Sequence, residues 1–174
     1  MPDELDIRVA LTFARLRATS FRAAAGVLFA SPPRRPNMTT EELVRAPLLG
    51  QALGSTKTDF AIHENHDLGH PPGTFARGVP LHLHRTEDEA WYVLEGTLRF
   101  QFGAREFEAG SGSGVLLPHG TPHTFWNPGP GPARYLLIVG PQTQGLLEAL
   151  HGPVRPDPRG LRAIYDTFEA ELLE

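Results

Sequence analysis

Cysteine is absent from this 174-residue chain. Its absence excludes disulfides, thiolate-bound zinc and a thiol nucleophile, and it fits a reducing, cytoplasmic setting. A basic excess is also missing. Sixteen Lys and Arg stand against twenty Asp and Glu, for a formal charge of −4, so nothing here makes the positive field that holds nucleic acid. No apolar run approaches the roughly 18 residues that span a bilayer, so no membrane partner is expected. What the chain does have is turn chemistry: 18 Gly and 17 Pro favour many short strands over a helical bundle.

The composition is not uniform. Residues 1–37 carry six arginines and three acids, and they end in the breaker cluster SPPRRPN (Ser31 to Asn37), which neither a helix nor a central strand tolerates. The reading is a poorly ordered N-terminal extension over residues 1–37, with Met38 as an alternative start and the extension dispensable. Thr39 and Glu42 have the spacing of a capping box, which predicts a short helix and lead-in over 38–57. From 58 to 140 the texture is that of strands: FAIHE, PLHLH, AWYVLEG, TLRFQFG, REFEAG, GVLLPHG, HTFWNPGPG and RYLLIVG, each closed by Gly, Pro or Asn. Gaps this short leave no room for crossover helices, so an all-β antiparallel barrel or sandwich is expected. LEGT (Leu94 to Thr97) reads as the turn of a hairpin. Residues 141–174 read as C-terminal helices packed outside the barrel. Asp157 is placed to cap the second, ahead of Pro158, and Leu161, Ile164, Phe168 and Leu172 form its apolar stripe.

The chemistry is concentrated in PLHLHRTEDEAWYVLEG. Strand residues two apart share a face, so His82 and His84 point together while Leu81 and Leu83 point away. Glu89, across the polar turn RTED, can return beside them from the next strand. Two imidazoles and a carboxylate converging from neighbouring strands make an open site for a divalent metal. Trp91 and Val93 share the phase of Glu89, Phe125 that of His123, and Phe100 the apolar face of its own strand. These four are the expected walls of a pocket for a small, flat organic ligand. His63, His66 and His70 form a second cluster, read as a solvated entry loop rather than a second metal site. His119, between Pro118 and Gly120, reads as a rim residue, and Asn127 as a turn former.

Two motifs together resemble the cupin family. In the first, His82, His84, Glu89 and Gly96 stand at the family's spacings, although the leading glycine is replaced by Ala76, with Gly78 close by. In the second, Gly112, Pro118, Gly120, His123 and Asn127 fit at every spacing. The pattern is most similar to small single-domain bacterial cupins of the quercetin-dioxygenase type. That resemblance implies a double-stranded β-helix, a small jelly-roll barrel that is often a homodimer. It also implies one metal ion held by His82, His84, Glu89 and His123. With no thiolate in the set, Fe, Mn, Ni, Co, Cu and Zn all remain candidates. The implied activity is a metal-dependent dioxygenase or related oxidoreductase acting on a small enolic or phenolic compound, with Glu89 as catalytic base. Two other classes stay open: a non-redox isomerase or lyase, and a small-molecule-binding cupin without turnover.

Overall fold

The computed structural model describes residues 44–71, 74, 78–153 and 156–173. The N-terminal extension and the helix expected at Thr39 and Glu42 lie outside these residues, as does Ala76. Where residues 44–57 are described they form turns and a two-residue strand, not a helix.

Among the described residues, ten strands make two antiparallel sheets. In chain order they are β1 (Ala52–Leu53), β2 (Ala61–Asp67), β3 (His82–His84), β4 (Glu89–Glu95), β5 (Thr97–Phe102), β6 (Arg105–Gly110), β7 (Gly114–Leu117), β8 (His123–Trp126), β9 (Ala133–Val139) and β10 (Ala170–Leu172). One sheet runs β1-β2-β9-β4-β7 and the other β10-β3-β8-β5-β6. Two helices, α1 (Pro141–Leu150) and α2 (Pro158–Thr167), separate β9 from β10. The fold is the expected all-β sandwich with C-terminal helices.

Alternation explains which face of each strand is buried. In β4, Glu89, Trp91 and Val93 are buried, whereas Tyr92 is exposed. In β5, Leu98 and Phe100 are buried. With Ala61, Phe125, Leu137 and Val139 these residues fill the space between the sheets. The Trp91 ring meets those of Phe100 and Phe125 edge to face, each at 5.2 Å, a geometry that suits the aromatic quadrupole.

Three expectations need correction. LEGT does not turn a hairpin: β4 and β5 lie in different sheets, so the chain crosses from one layer to the other there. Gly96 sits at this corner with φ 73°, and a Cβ would lie 2.3 Å from the Pro132 carbonyl oxygen. The real hairpin is β5–β6, where Phe102 pairs with Arg105. A short polar glycine turn looks the same in sequence whether the next strand pairs back or leaves the sheet. The second helix stops at Thr167 rather than reaching Leu172, and Glu169 takes φ 53°. The chain then enters β10, which pairs with β3. Finally, His63 and His66 belong to β2, not to a loop. His63 lies in the inner row beside Leu137, and its Nε2 is 2.6 Å from Gln144 Oε1.

The outer face of the first sheet carries an apolar row. Ile62, Ile138, Ala90 and Leu116 stand side by side across four strands, next to exposed Tyr92 and Phe60. Leu116 is 64% exposed.

Candidate metal centre

The strand pattern delivers the histidines as its alternation requires. His82 and His84, the two ends of β3, are buried on one face, with half-buried Leu83 on the other. His123 opens β8 directly opposite His82. Glu89 opens β4 in the other sheet and faces the same interior. Three imidazoles from one layer and one carboxylate from the other therefore meet across the sandwich.

The three histidines offer nitrogens that all lie within 4.8 Å of one another. The ring centroids of His82 and His123 are 4.1 Å apart, and those of His84 and His123 5.4 Å. Glu89 Oε2 is 3.1 Å from His123 Nε2 and 3.5 Å from His84 Nε2. All four side chains are buried.

Each ring is held from behind. His82 Nδ1 lies 2.8 Å from the Pro80 carbonyl oxygen and His123 Nδ1 3.2 Å from that of Thr121. A carbonyl only accepts, so these nitrogens carry the protons and Nε2 is turned into the site. Such outer hydrogen bonds fix the tautomer and orientation of a metal-binding histidine. The donor set is nitrogen and carboxylate oxygen only, in a compact buried cluster, and it fits one divalent first-row ion. Among the described residues this is the cluster with metal-binding character.

The electrostatics agree with a cation site. Burial, joined by positive charge on His123 and His84, lowers the His82 imidazole from its ordinary value to about 3. Burial alone would raise the Glu89 carboxyl. Hydrogen bonds from His123 and His84, with the charge on those rings, outweigh it and hold the group at about 2. Glu89 is thus an anion at neutral pH, a buried negative charge of the kind that a bound metal ion would balance.

Trp91, Val93, Phe100 and Phe125, the expected pocket walls, are buried against one another as core. The Trp91 ring centroid comes within 6.2 Å of His123, whereas Tyr92 points out of the barrel. The larger clefts of the described surface are lined by other residues. One of them, about 450 Å³, lies between His63, Asn65, Gln144, Glu148 and His151. His119 is exposed, its backbone N–H and its ring bonded to Asp88. Asn127 closes a turn, accepting from Gly129 N and donating to the Gly131 oxygen.

Two contributors escaped the strand argument. Tyr165 of α2 is buried with its ring 5.4 Å from that of His82, and burial, with the Glu89 charge adding, pushes its hydroxyl up to about 12. Thr143 of α1 reaches His84. Tyr165 falls next to the predicted helical stripe, four residues after Leu161. Thr143 follows the Gly-Pro start of a helix and carries no other sign of its role.

A two-sheet β barrel with three inward histidines and one inward glutamate defines the class: a candidate metal-binding barrel. Residues 71–139 match the family model of the cupin domain, which supports the cupin superfamily for this part of the chain. A 61-residue stretch is 36% identical to an uncharacterized protein of Methanocaldococcus jannaschii, covering 35% of this chain and 49% of that protein. The chain thus spans about half the length of this curated relative. Among solved structures, a sugar phosphate isomerase of the cupin superfamily from Silicibacter pomeroyi is 24% identical over 48% of this chain and 51% of its own, with a TM-score of 0.42. The cupin domain of Schizosaccharomyces pombe Cnp3 is 16% identical over 62% and 72%, with a TM-score of 0.44.

Proposed function

We propose that the protein is a metal-dependent cupin enzyme, a dioxygenase or related oxidoreductase acting on a small enolic or phenolic compound. The observation that carries this reading is the buried set of His82, His84, His123 and Glu89, with no sulfur ligand. When bound, a divalent ion supplies Lewis acidity and, if redox-active, electron exchange with dioxygen. The protein supplies the rest. Glu89, an anion at neutral pH, accepts the hydroxyl proton of the bound compound. The Trp91 ring provides an apolar floor beside His123, and its Nε1–H, buried without a protein partner among the described residues, suits a ligand oxygen. Burial of all four ligands excludes bulk water and favours a small substrate.

The working form in this reading is a cytoplasmic homodimer with a small-molecule ligand, and neither nucleic acid nor a membrane is a partner. The row Ile62, Ile138, Ala90 and Leu116 is the face that a second copy would cover, since contiguous apolar sheet surface marks an interface. No helix among the described residues is long and apolar enough to cross a membrane.

The test loads metal-free protein separately with Fe(II), Mn(II), Ni(II), Co(II), Cu(II) and Zn(II). Dissolved oxygen is then followed with flavonols, catechols and 1,3-diketones. Uptake that needs both metal and compound, and that vanishes in Glu89→Gln, is the expected result. Compound turnover with Zn(II) and no oxygen uptake would assign an isomerase or lyase instead. Micromolar binding without product would assign a binding cupin.

A further inference from the structure

The rings of His82 and His123 are fixed by carbonyls two residues earlier in their own segments, Pro80 and Thr121. His84 is held differently. Its Nδ1 lies 3.2 Å from Oγ1 of Thr143, in the first turn of α1. Both side chains are buried. Thr143 Oγ1 is also 3.1 Å from Glu87 Oε2. A carboxylate can only accept, so the single hydroxyl proton of Thr143 goes to Glu87. The hydroxyl oxygen is then left to accept from His84 Nδ1–H. That direction fixes a proton on Nδ1 of His84 and leaves Nε2 facing the site, 3.5 Å from Glu89 Oε2.

Glu87 fixes the helix as well as the hydroxyl. Its Oε1 accepts from Gln142 N and its Oε2 from Thr143 N, both at 2.9 Å. These are N–H groups of the first turn, which have no partner within the helix and favour an anion. Gly140, the residue before α1, makes room for the carboxylate: a Cβ there would lie 2.4 Å from Glu87 Cδ. Glu87 sits between His84 and Glu89 in sequence, so the loop joining two of the candidate ligands is bolted to the helix that orients one of them. Thr143 lies beyond the segment that matches the cupin domain, which ends at residue 139.

We propose that Thr143 is a positioning residue for His84, with Glu87 setting the direction of its hydroxyl, so that the C-terminal helix is part of the metal centre. The proposal rests on the metal-binding reading above for its effect on affinity, but not for its effect on the ring. The variants are Thr143→Val, which keeps shape and removes the hydroxyl, and Thr143→Ser, which restores it.

Two readouts are needed. Imidazole ¹⁵N chemical shifts of the metal-free protein report the His84 tautomer. Competition with a chelator reports Co(II) affinity. In the wild type His84 carries its proton on Nδ1. Thr143→Val loses that preference and weakens Co(II) by about 10- to 100-fold, the usual effect of removing such a partner, while Thr143→Ser stays close to wild type. A wild-type His84 protonated on Nε2 alone, or a Thr143→Val protein with unchanged tautomer and Co(II) affinity within twofold, overturns the proposal. The wild-type arm decides even where the valine variant fails to fold. Failure of the wild type to bind any metal, with the tautomer as stated, removes the metal reading and leaves the role of Thr143 in orienting His84 standing.

Discussion

The coupling between His123 and Glu89 can be measured without any metal. His123 is fully buried, and its Nε2 is 3.1 Å from a buried carboxylate oxygen. Replacing it by alanine leaves Glu89 Oε2 with its second imidazole contact, to His84 at 3.5 Å, and with no closer donor among the described residues. Breaking a buried pair on one side costs about 3–5 kcal/mol, because the remaining charge stays buried without its partner. Glu89→Gln removes the charge itself, so His123→Ala should be much less harmful in that background. The expected outcome for chelator-treated protein at pH 7 is a loss of about 3–5 kcal/mol for His123→Ala, with the double variant more stable than the sum of the singles by about 1–3 kcal/mol. Urea unfolding of the four proteins gives the coupling directly. Additivity within about 0.5 kcal/mol would mean that the two side chains are not electrostatically linked and that the cluster is not poised for a cation.

Other outcomes follow from single positions. Gly96→Ala should cost about 3 kcal/mol or more, because it adds a backbone clash to the left-handed penalty of about 1–2 kcal/mol. Gly103→Ala, at φ 57° with open space around it, should show the penalty alone; equal losses in urea unfolding would remove Gly96 from its corner. Acid should destabilise the metal-free protein. Between the ordinary imidazole value of 6.5 and about 3, the unfolded chain binds a proton at position 82 that the folded one refuses, so stability falls as pH falls through that window. Glu89, held at about 2 against an ordinary 4.5, contributes stability that is present above pH 4.5 and lost below it. A His82→Leu protein with the same slope as wild type between pH 6.5 and 4.5 would contradict this. Leu116→Glu should convert the proposed dimer to a monomer in light scattering while leaving metal content unchanged; a wild type that is already monomeric would end that proposal.

The sequence made the strand faces readable wherever alternation has period two. His82 and His84 against Leu83, and Trp91 against Tyr92, follow from that rule alone, and the inward turn of Glu89 follows from its phase with Trp91. Burial on the outer face did not follow. Tyr92, on the face away from the histidines, is 44% exposed. An apolar residue on an outer face is the same in sequence whether a helix, a second copy or water covers it. The corner at Gly96 was misread for a related reason: glycine marks a change of direction without saying toward which sheet. Strand β10 was hidden inside a helical stripe, since Leu172 continues the spacing of Leu161, Ile164 and Phe168. The change at Glu169 comes from tertiary pairing with β3 and not from local propensity.

That pairing bears on what the C-terminal segment is for. Strand β3 has only three residues, and its register with β10 sets Ala170 against His84 and Leu172 against His82. On its other side β3 shares a single paired position with β8, His82 with His123. A three-residue strand held on one edge alone would carry its two histidines on a poorly fixed backbone, because few ladder hydrogen bonds would oppose fraying. The tail supplies the second edge through β10, the ring contact to His82 through Tyr165 and the hydroxyl behind His84 through Thr143. A site that must hold its ligands to within a few tenths of an ångström needs support of this kind around the ligands themselves. The helices after the barrel are therefore better understood as the back wall of the candidate metal centre than as an appendage to a finished domain.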